Sequence, residues 1–318
     1  MKYFLGVDGG QSTTTAVIGD ENGKTIGWAT AGPCNHVAAA EARVKFLRVM
    51  RECISQAAAH AGLEAHAGLE SKDGRWSFAS ACLGMSGGTA DKSALLREIL
   101  ISDHILITDD PDIALAGALS GQAGIVVISG TGSIAFGRNA RGETARAGGW
   151  GYIYGDEGSG FDIARQGLRA VMREYENWGG HTTLTPAYLA ATGAADAFEL
   201  LHLFYTPEWP RSRVAQLTRL VDRAAEEGDP VAVGILHQAA QQLAMQATSV
   251  RRQLFAEGEP TCSSWAGGVF ESRILLERFR ALMSLEWDCT PPAHGPAIGA
   301  LLLAYRAAGM NVSLYSAA

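Results

Sequence analysis

One pattern occurs twice in this chain and limits what it can fold into. Near residue 3, and again near residue 124, an apolar strand runs into a short glycine turn carrying hydroxyls, then a second strand and a further turn containing Gly. The first copy reads Tyr3 to Asp8, the turn at Gly9-Gly10, Thr13 to Ile18, the hairpin turn Asp20-Glu21-Asn22-Gly23, and a third strand from Lys24 to Ala29. The second reads Gly124 to Ser129, Gly130-Thr131-Gly132-Ser133, Ile134 to Arg138, and the turn Asn139-Ala140-Arg141-Gly142. Recurrence of a whole supersecondary unit predicts a duplicated domain.

Helical periodicity follows each copy. From Glu41 the apolar residues Val44, Leu47, Met50, Ile54 and Ala58 recur at three- and four-residue spacing, the stripe of an amphipathic helix. Phe78 to Met85 reads as a strand, Lys92 to Leu100 as a helix, His104 to Thr108 as a strand, and Pro111 to Leu119 as a helix with Pro in its first turn. After the second copy, helices are predicted over Phe161 to Tyr175, Arg211 to Glu227 and Pro230 to Phe255. Thr261 to Ala266 then reads as a strand ending in Gly267-Gly268, followed by a helix from Glu271 to Met283 and a closing helix from about Ala297 to Ala308. The class is α/β, with an N-terminal domain over residues 1–118 completed by 297–318, and a C-terminal domain over 119–296 enlarged by helices.

Charge and composition remove several classes of function. The 318 residues carry 26 Lys and Arg against 33 Asp and Glu, a formal charge of −7, without a basic run to track a phosphate backbone, so nucleic acid is not the expected partner. Asp8 interrupts the first apolar stretch too early for a signal peptide, and no stretch approaches the ~18 apolar residues of a membrane span. A cytoplasmic protein without a membrane partner is expected. The five cysteines (Cys34, Cys53, Cys82, Cys262 and Cys289) are too scattered for a close metal-binding or redox pair and read as buried thiols. The informative excess is glycine, 38 residues against 10 prolines, which points to close backbone approaches rather than stiff linkers.

Four segments carry candidate chemistry. The turns Asp8-Gly9-Gly10-Gln11-Ser12-Thr13 and Gly130-Thr131-Gly132-Ser133 offer consecutive backbone N–H groups and flanking hydroxyls, which suit phosphate oxygens, although each alone also reads as an ordinary hairpin. Asp8 reads either as an Asx-type turn cap or, beside phosphates, as an acid that orients Mg²⁺ through water. Asp109-Asp110-Pro111-Asp112 puts three carboxylates between a strand and a helix, where Asp110 can be an N-cap, a general base for a hydroxyl, or both; spacing does not choose among the three acids. Gly148-Gly149-Trp150-Gly151 and Gly155-Asp156-Glu157-Gly158-Ser159-Gly160 form the densest glycine cluster. It reads as a flexible loop with Ser159 or Asp156 capping the next helix and Trp150 in the core, or as an aromatic face beside acids that holds a sugar. Asn35-His36 is a lesser candidate, readable as a turn.

The strings GVDGGQSTTTAVI, NH, GMSGG, TDDPDIALAGAL, GIVVISGTGSIAFGR, AGGWGYIYGDEGSGFDIARQGLRA and WAGGVFES resemble, in this order, those of N-acetylglucosamine kinases and the BadF/BadG/BcrA/BcrD ATPase family. These belong to the actin, sugar kinase and heat-shock ATPase superfamily. The resemblance covers nearly the whole chain, least in the helices from Asn177 to Phe255. It implies two ribonuclease H-like domains flanking a nucleotide cleft, and transfer of the γ-phosphoryl group of ATP to the 6-hydroxyl of N-acetylglucosamine or glucosamine. Carried over, Asp8 is the Mg²⁺-associated acid, Gly9 to Thr13 (with Gly10, Gln11 and Ser12) the first phosphate loop, Gly130, Thr131, Gly132 and Ser133 the second, and Gly267-Gly268 the turn under adenosine. Asp110 falls on the catalytic base and, with Asn35, His36, Ser86, Gly87, Trp150 and Asp156, on the sugar-contacting positions. Asp109 stands where the family usually has Asn or Thr, and Val37 where some N-acetylglucosamine kinases have Trp, so the preferred sugar stays open. The rival within the same family is an ATPase that activates a partner redox enzyme through a cysteine-held iron–sulfur cluster. The oligomeric state is also open, a homodimer being the commonest form.

Overall fold

The structure, a computed structural model, describes residues 1–10, 13–34, 40–63, 74–85, 92–284 and 287–316. In chain order the elements are β1 (Tyr3–Gly9), β2 (Thr14–Asp20), β3 (Lys24–Ala31), α1 (Ala40–His60), β4 (Trp76–Ser77), β5 (Ser80–Met85), α2 (Lys92–Leu96), β6 (Leu100–Ile101), β7 (His104–Thr108) and α3 (Asp110–Ala118). The strand pattern then restarts with β8 (Gly124–Ser129), β9 (Ser133–Arg138) and β10 (Thr144–Gly148). Six helices follow: α4 (Gly160–Tyr175), α5 (Leu184–Thr192), α6 (Ala197–Leu203), α7 (Arg211–Gln216), α8 (Thr218–Glu226) and α9 (Pro230–Leu254). After them come β11 (Cys262–Ala266), a 3₁₀ turn (Gly268–Glu271), α10 (Arg273–Met283), β12 (Asp288–Cys289), α11 (Pro296–Ala307) and β13 (Tyr315–Ser316). Among the described residues no helix is long and apolar enough to cross a membrane.

The chain divides into two units, residues 1–122 with 292–318, and residues 123–291. The first holds a sheet of order β13-β3-β2-β1-β5-β7, the second one of order β10-β9-β8-β11-β12. Without the short β13 the two orders are the same. In each, three antiparallel strands form a meander and two more add in parallel beside the first strand. Parallel neighbours need a crossover. The first unit supplies it with α1, and the second with the run from α4 to α9, which is where it is enlarged.

Glycine decides how closely helices approach the first sheet. A Cβ on Gly27 of β3 would sit 2.2 Å from the Ala57 carbonyl oxygen of α1, and one on Gly6 of β1 would sit 2.3 Å from the Leu301 nitrogen of α11. Helix α11 also crosses α3 at Gly299, whose Cβ would fall 1.9 Å from the Ile113 carbonyl oxygen. Backbone against backbone cannot yield by a rotamer change. Gly299→Ala is therefore expected to destabilise the protein by at least the ~1–3 kcal/mol typical of overpacking, read as a lower urea midpoint. An unchanged midpoint would mean the crossing is looser than drawn.

Several sequence expectations are corrected. Of the stripe expected on α1, Met50, Ile54 and Ala58 are buried and Leu47 packs against the core, but Val44 is 64% exposed; Phe46, Val49, Cys53 and Ala57 complete the buried face, with Ala57 against Gly27. The helix expected over Lys92 to Leu100 ends at Leu96, and Leu100–Ile101 instead pairs in parallel with Trp76–Ser77. The helix expected over Arg211 to Glu227 breaks at Leu217 into α7, which packs on α4, and α8, which packs on both α9 and α4. Helices α5 and α6 were not anticipated. For α6 the signal was present as a capping box, with Asp196 accepting from the Glu199 N–H at 2.8 Å and Glu199 accepting from the Ala195 N–H at 2.7 Å.

Candidate functional site

In the first unit the chemistry gathers at the C-terminal ends of β1, β5 and β7. Asp8 lies in register with Thr15 of β2 and Gly84 of β5, and the turn after it closes through the Gly10 N–H to the Thr13 carbonyl at 2.9 Å. A Cβ on Gly9 would meet Met85 Sδ at 2.5 Å, so a side chain there would require Met85 to move. Burial pushes the Asp8 carboxyl up to about 6.

The structure separates the three acids that spacing left equivalent. Asp109, exposed, is the N-cap of α3 by backbone conformation alone, with no side-chain capping bond. Asp110 is therefore not the N-cap, and the expectation that it caps is corrected: Asp109 is the last extended residue, so the helix begins one residue earlier than the Pro position suggested, with Asp110 first and Pro111 second. Asp112 accepts from the Thr108 hydroxyl at 2.7 Å, tying the helix to the end of β7. Asp110 is left over, with Oδ1 buried and no hydrogen-bond partner among the described residues. Burial first, then the negative charge of Asp8, pushes its carboxyl up to about 7, against an opposing pull from Lys92. It is held where a proton acceptor near neutral pH would work.

Lys92 is a residue that sequence reading missed. It is the first residue of α2 yet only 2% exposed, and its ammonium, held below the usual lysine range by burial, feels Cys34, Asp110 and Asp109. A signal existed: a cation in the first turn of a helix opposes the helix dipole, and such a local conflict tends to mark a functional position.

In the second unit the hairpin between β8 and β9 carries Gly130 to Ser133, closed by the Gly130 N–H to the Gly132 carbonyl at 2.9 Å. The flanking hydroxyls are already committed as donors, Ser129 to the Gly158 carbonyl at 2.8 Å and Ser133 to the Glu157 carbonyl at 2.7 Å. Gly267, at φ +99°, places its Cα against the same turn, since a Cβ there would sit 2.2 Å from the Ser129 carbonyl oxygen. Parallel pairing of β11 with β8, Ala266 against Ile128, produces this approach, so Gly130 to Ser133 and Gly267-Gly268 are brought together.

Asp156 is drawn to this turn. It is 3% exposed at φ +62°, and its carboxylate accepts from the Ser133 N–H at 3.3 Å and forms a short ion pair with Arg211. Arg211 also donates to the Thr131 carbonyl at 3.2 Å. A Cβ on Gly132 would strike Arg211 Nη2 at 2.7 Å, so the pair and the glycine fit one another. Arg211 was not anticipated; it stands 55 positions from its partner, and no local pattern announces it. Ser159, not Asp156, caps α4, accepting from the Asp162 N–H at 3.2 Å.

Trp150 is not a core aromatic: it is 67% exposed, among left-handed Gly148, Gly149 and Gly151, with the Arg146 guanidinium 5.1 Å from its ring centre. Gln11, Ser12, Asn35, His36, Ser86 and Gly87 lie outside the described residues. So of the expected sugar-contacting set, the structure describes Asp110, Trp150 and Asp156.

Two like-ordered sheets, each with a glycine turn after its first strand, define an ATPase of the actin-like fold. The chain belongs to the BadF/BadG/BcrA/BcrD ATPase family, whose model matches residues 5–304. It is 33% identical to an N-acetylmuramic acid/N-acetylglucosamine kinase of Clostridium acetobutylicum, over 96% of this chain and 98% of that one. It is 29% identical to an N-acetyl-D-glucosamine kinase of Dictyostelium discoideum, over 95% and 98% respectively. A solved structure from Chromobacterium violaceum, described as a candidate N-acetylglucosamine kinase, superposes with a TM-score of 0.76 at 25% identity, covering 95% of this chain and 99% of that one.

Proposed function

We propose that the protein is an ATP-dependent kinase of amino sugars, N-acetylglucosamine or glucosamine, acting at the 6-hydroxyl. The observation that carries the reading is Asp110, a half-buried carboxylate at the start of α3 with a raised proton affinity and an oxygen that has no partner among the described residues. The kinase names of the full-length relatives support it.

In the reaction the sugar hydroxyl gives its proton to Asp110 as its oxygen bonds to the γ-phosphorus, and the bond from that phosphorus to the β-phosphate oxygen breaks to release ADP. Gly9 to Thr13 is assigned as the first phosphate loop and Gly130 to Ser133 as the second. In the second, Thr131 and Gly132 are left to offer backbone N–H groups, that of Gly130 being given to the Gly132 carbonyl and that of Ser133 to Asp156. Gly267-Gly268 leaves room for adenosine. Above Gly268 the nearest atom a Cβ would meet is Glu271 Oε1 at 3.9 Å. The orphaned Asp110 oxygen beside a second buried acid, Asp8, fits a site that takes a hard cation through oxygen. Asp8 would hold Mg²⁺ through water, the ion supplying charge neutralisation on the phosphates.

Trp150 is assigned as the face on which the sugar lies. Trp150→Ala is expected to raise the sugar KM about tenfold or more while changing the ATP KM less than about threefold, because one stacked ring contributes about 1–3 kcal/mol to one ligand only. Equal effects on both constants would remove the assignment. The reading as a whole is tested by ADP release with Mg-ATP over a panel of amino sugars and hexoses. Turnover with a hexosamine and none with buffer alone is expected; ATP hydrolysis indifferent to every sugar would overturn it. The redox-activator reading draws no support from the thiols: Cys34, Cys53 and Cys82 are buried, Cys289 is partly covered, and Cys262 alone of the five is exposed.

A further inference from the structure

The second unit holds a cavity of about 840 Å³ between α4, α6 and α7, within the size range of small-molecule sites, that has no part in the reaction above. Its floor is apolar: Phe161, Leu168 and Met172 from α4, Phe204 after α6, and Val214 from α7. Its rim is aromatic, with Tyr152, Trp178 and Tyr205 exposed at 44%, 64% and 84%. Large aromatic rings left in water around one opening are uncommon on a surface with no ligand to meet.

The charges are the second observation. Helix α4 carries Arg165, Arg169 and Arg173 four residues apart, hence along one ridge, and all three line the cavity with Arg211. Like charges at this spacing repel, and the chain around them is acidic, at −7 overall. Arg165 is paired with Asp162 at 2.7 Å, and Arg211 with Asp156. Arg173 lies over the Trp178 ring at 4.9 Å, and Arg169 has no ion pair among the described residues. Two guanidinium groups thus face an apolar hollow without an acid of their own.

We propose that this cavity is a binding site for an amphipathic organic anion, with Arg169 and Arg173 taking a phosphate or carboxylate while the apolar floor, Trp178 and Tyr205 hold a planar or aliphatic body. Guanidinium forks match both anionic groups, and the rings supply stacking area at low entropic cost. The chemistry is common to a nucleoside phosphate and an acyl carboxylate. The inference does not rest on the kinase reading, because its test measures binding rather than turnover.

The probe is 1-anilinonaphthalene-8-sulfonate, titrated by fluorescence into the full chain. One saturable site per chain is expected, weakened at least tenfold in Arg169→Glu and in Tyr205→Ser, and unchanged in Arg273→Glu, an exposed charge on α10. Uridine diphosphate and decanoate are then competed separately: whichever displaces the probe names the source of the anion, and displacement by neither overturns the ligand class. N-acetylglucosamine and Mg-ATP should leave the probe in place; displacement by Mg-ATP would make the cavity part of the nucleotide site and overturn the proposal. A chain that sediments as a dimer, binds no probe, and becomes monomeric in Arg169→Glu would show the face covered by a second copy, which also overturns it.

Discussion

Asp110→Asn is expected to lower kcat by about 10²–10⁴-fold while leaving the nucleotide Kd within about threefold, since a positioned base contributes that much and the amide keeps the shape but not the proton affinity. By the tenfold-per-1.36 kcal/mol relation this is roughly 3–5 kcal/mol of transition-state stabilisation. The wild-type protein should carry an acid limb in kcat/KM: the acceptor must be ionised, its carboxyl is pushed up to about 7, and activity should fall about tenfold per unit below that value. The limb should vanish in the mutant. The same shift acts on stability with a definite sign. Because the folded value lies above the unfolded 3.8, the folded chain keeps a proton that the unfolded chain releases, so without Mg²⁺ stability falls as pH rises from about 4 to about 7. Asp110→Asn should flatten that slope in urea titrations taken across the window. Near-normal turnover in the mutant, with the acid limb retained, would remove Asp110 from its role.

Arg211→Ala is the second large effect, this time on folding. It leaves Asp156 buried at a left-handed backbone position with one long hydrogen bond from the Ser133 N–H. Breaking a buried pair in this way typically costs about 3–5 kcal/mol. The reciprocal Asp156→Ala should cost less, because the Arg211 side chain is 32% exposed and can rehydrate, whereas that of Asp156 is 4% exposed. The order of the two losses, read from urea midpoints at neutral pH, tests the geometry; equal losses, or a larger one in Asp156→Ala, would contradict it. Both variants should also weaken ATP binding, since Arg211 and Asp156 brace Thr131, Gly132 and Ser133.

The duplicated sheet was legible because its signals are local. Alternation between apolar strand and glycine turn is written in consecutive residues, so β1 to β3 and β8 to β10 were readable without contacts. The glycine turns and Trp150 were legible as candidates for the same reason. Helix phase was legible in part: Met50, Ile54 and Ala58 of the stripe expected on α1 are buried, whereas Val44 is exposed and Phe46 buried, and the approach of Ala57 to Gly27 joins residues far apart in the chain. The break at Leu217, after which α8 packs on α9 as well as on α4, was not legible.

At the level of chemistry, residue types brought Asp8, the three acids at Asp109 to Asp112 and Gly130 to Ser133 forward as candidates, and the family resemblance added Gly267-Gly268 and chose Asp110. Residue spacing left Asp110, Asp109 and Asp112 equivalent and only the family resemblance singled out Asp110; the fold adds a physical reason, because a carboxylate's task depends on whether a neighbour has already taken its oxygens: Thr108 holds Asp112, and among the described residues none holds Asp110 Oδ1. It likewise took the tertiary structure to bring Lys92 into the field of Asp110 and Arg211 onto Asp156. Charge acts through space and burial, and neither is a function of position in the chain.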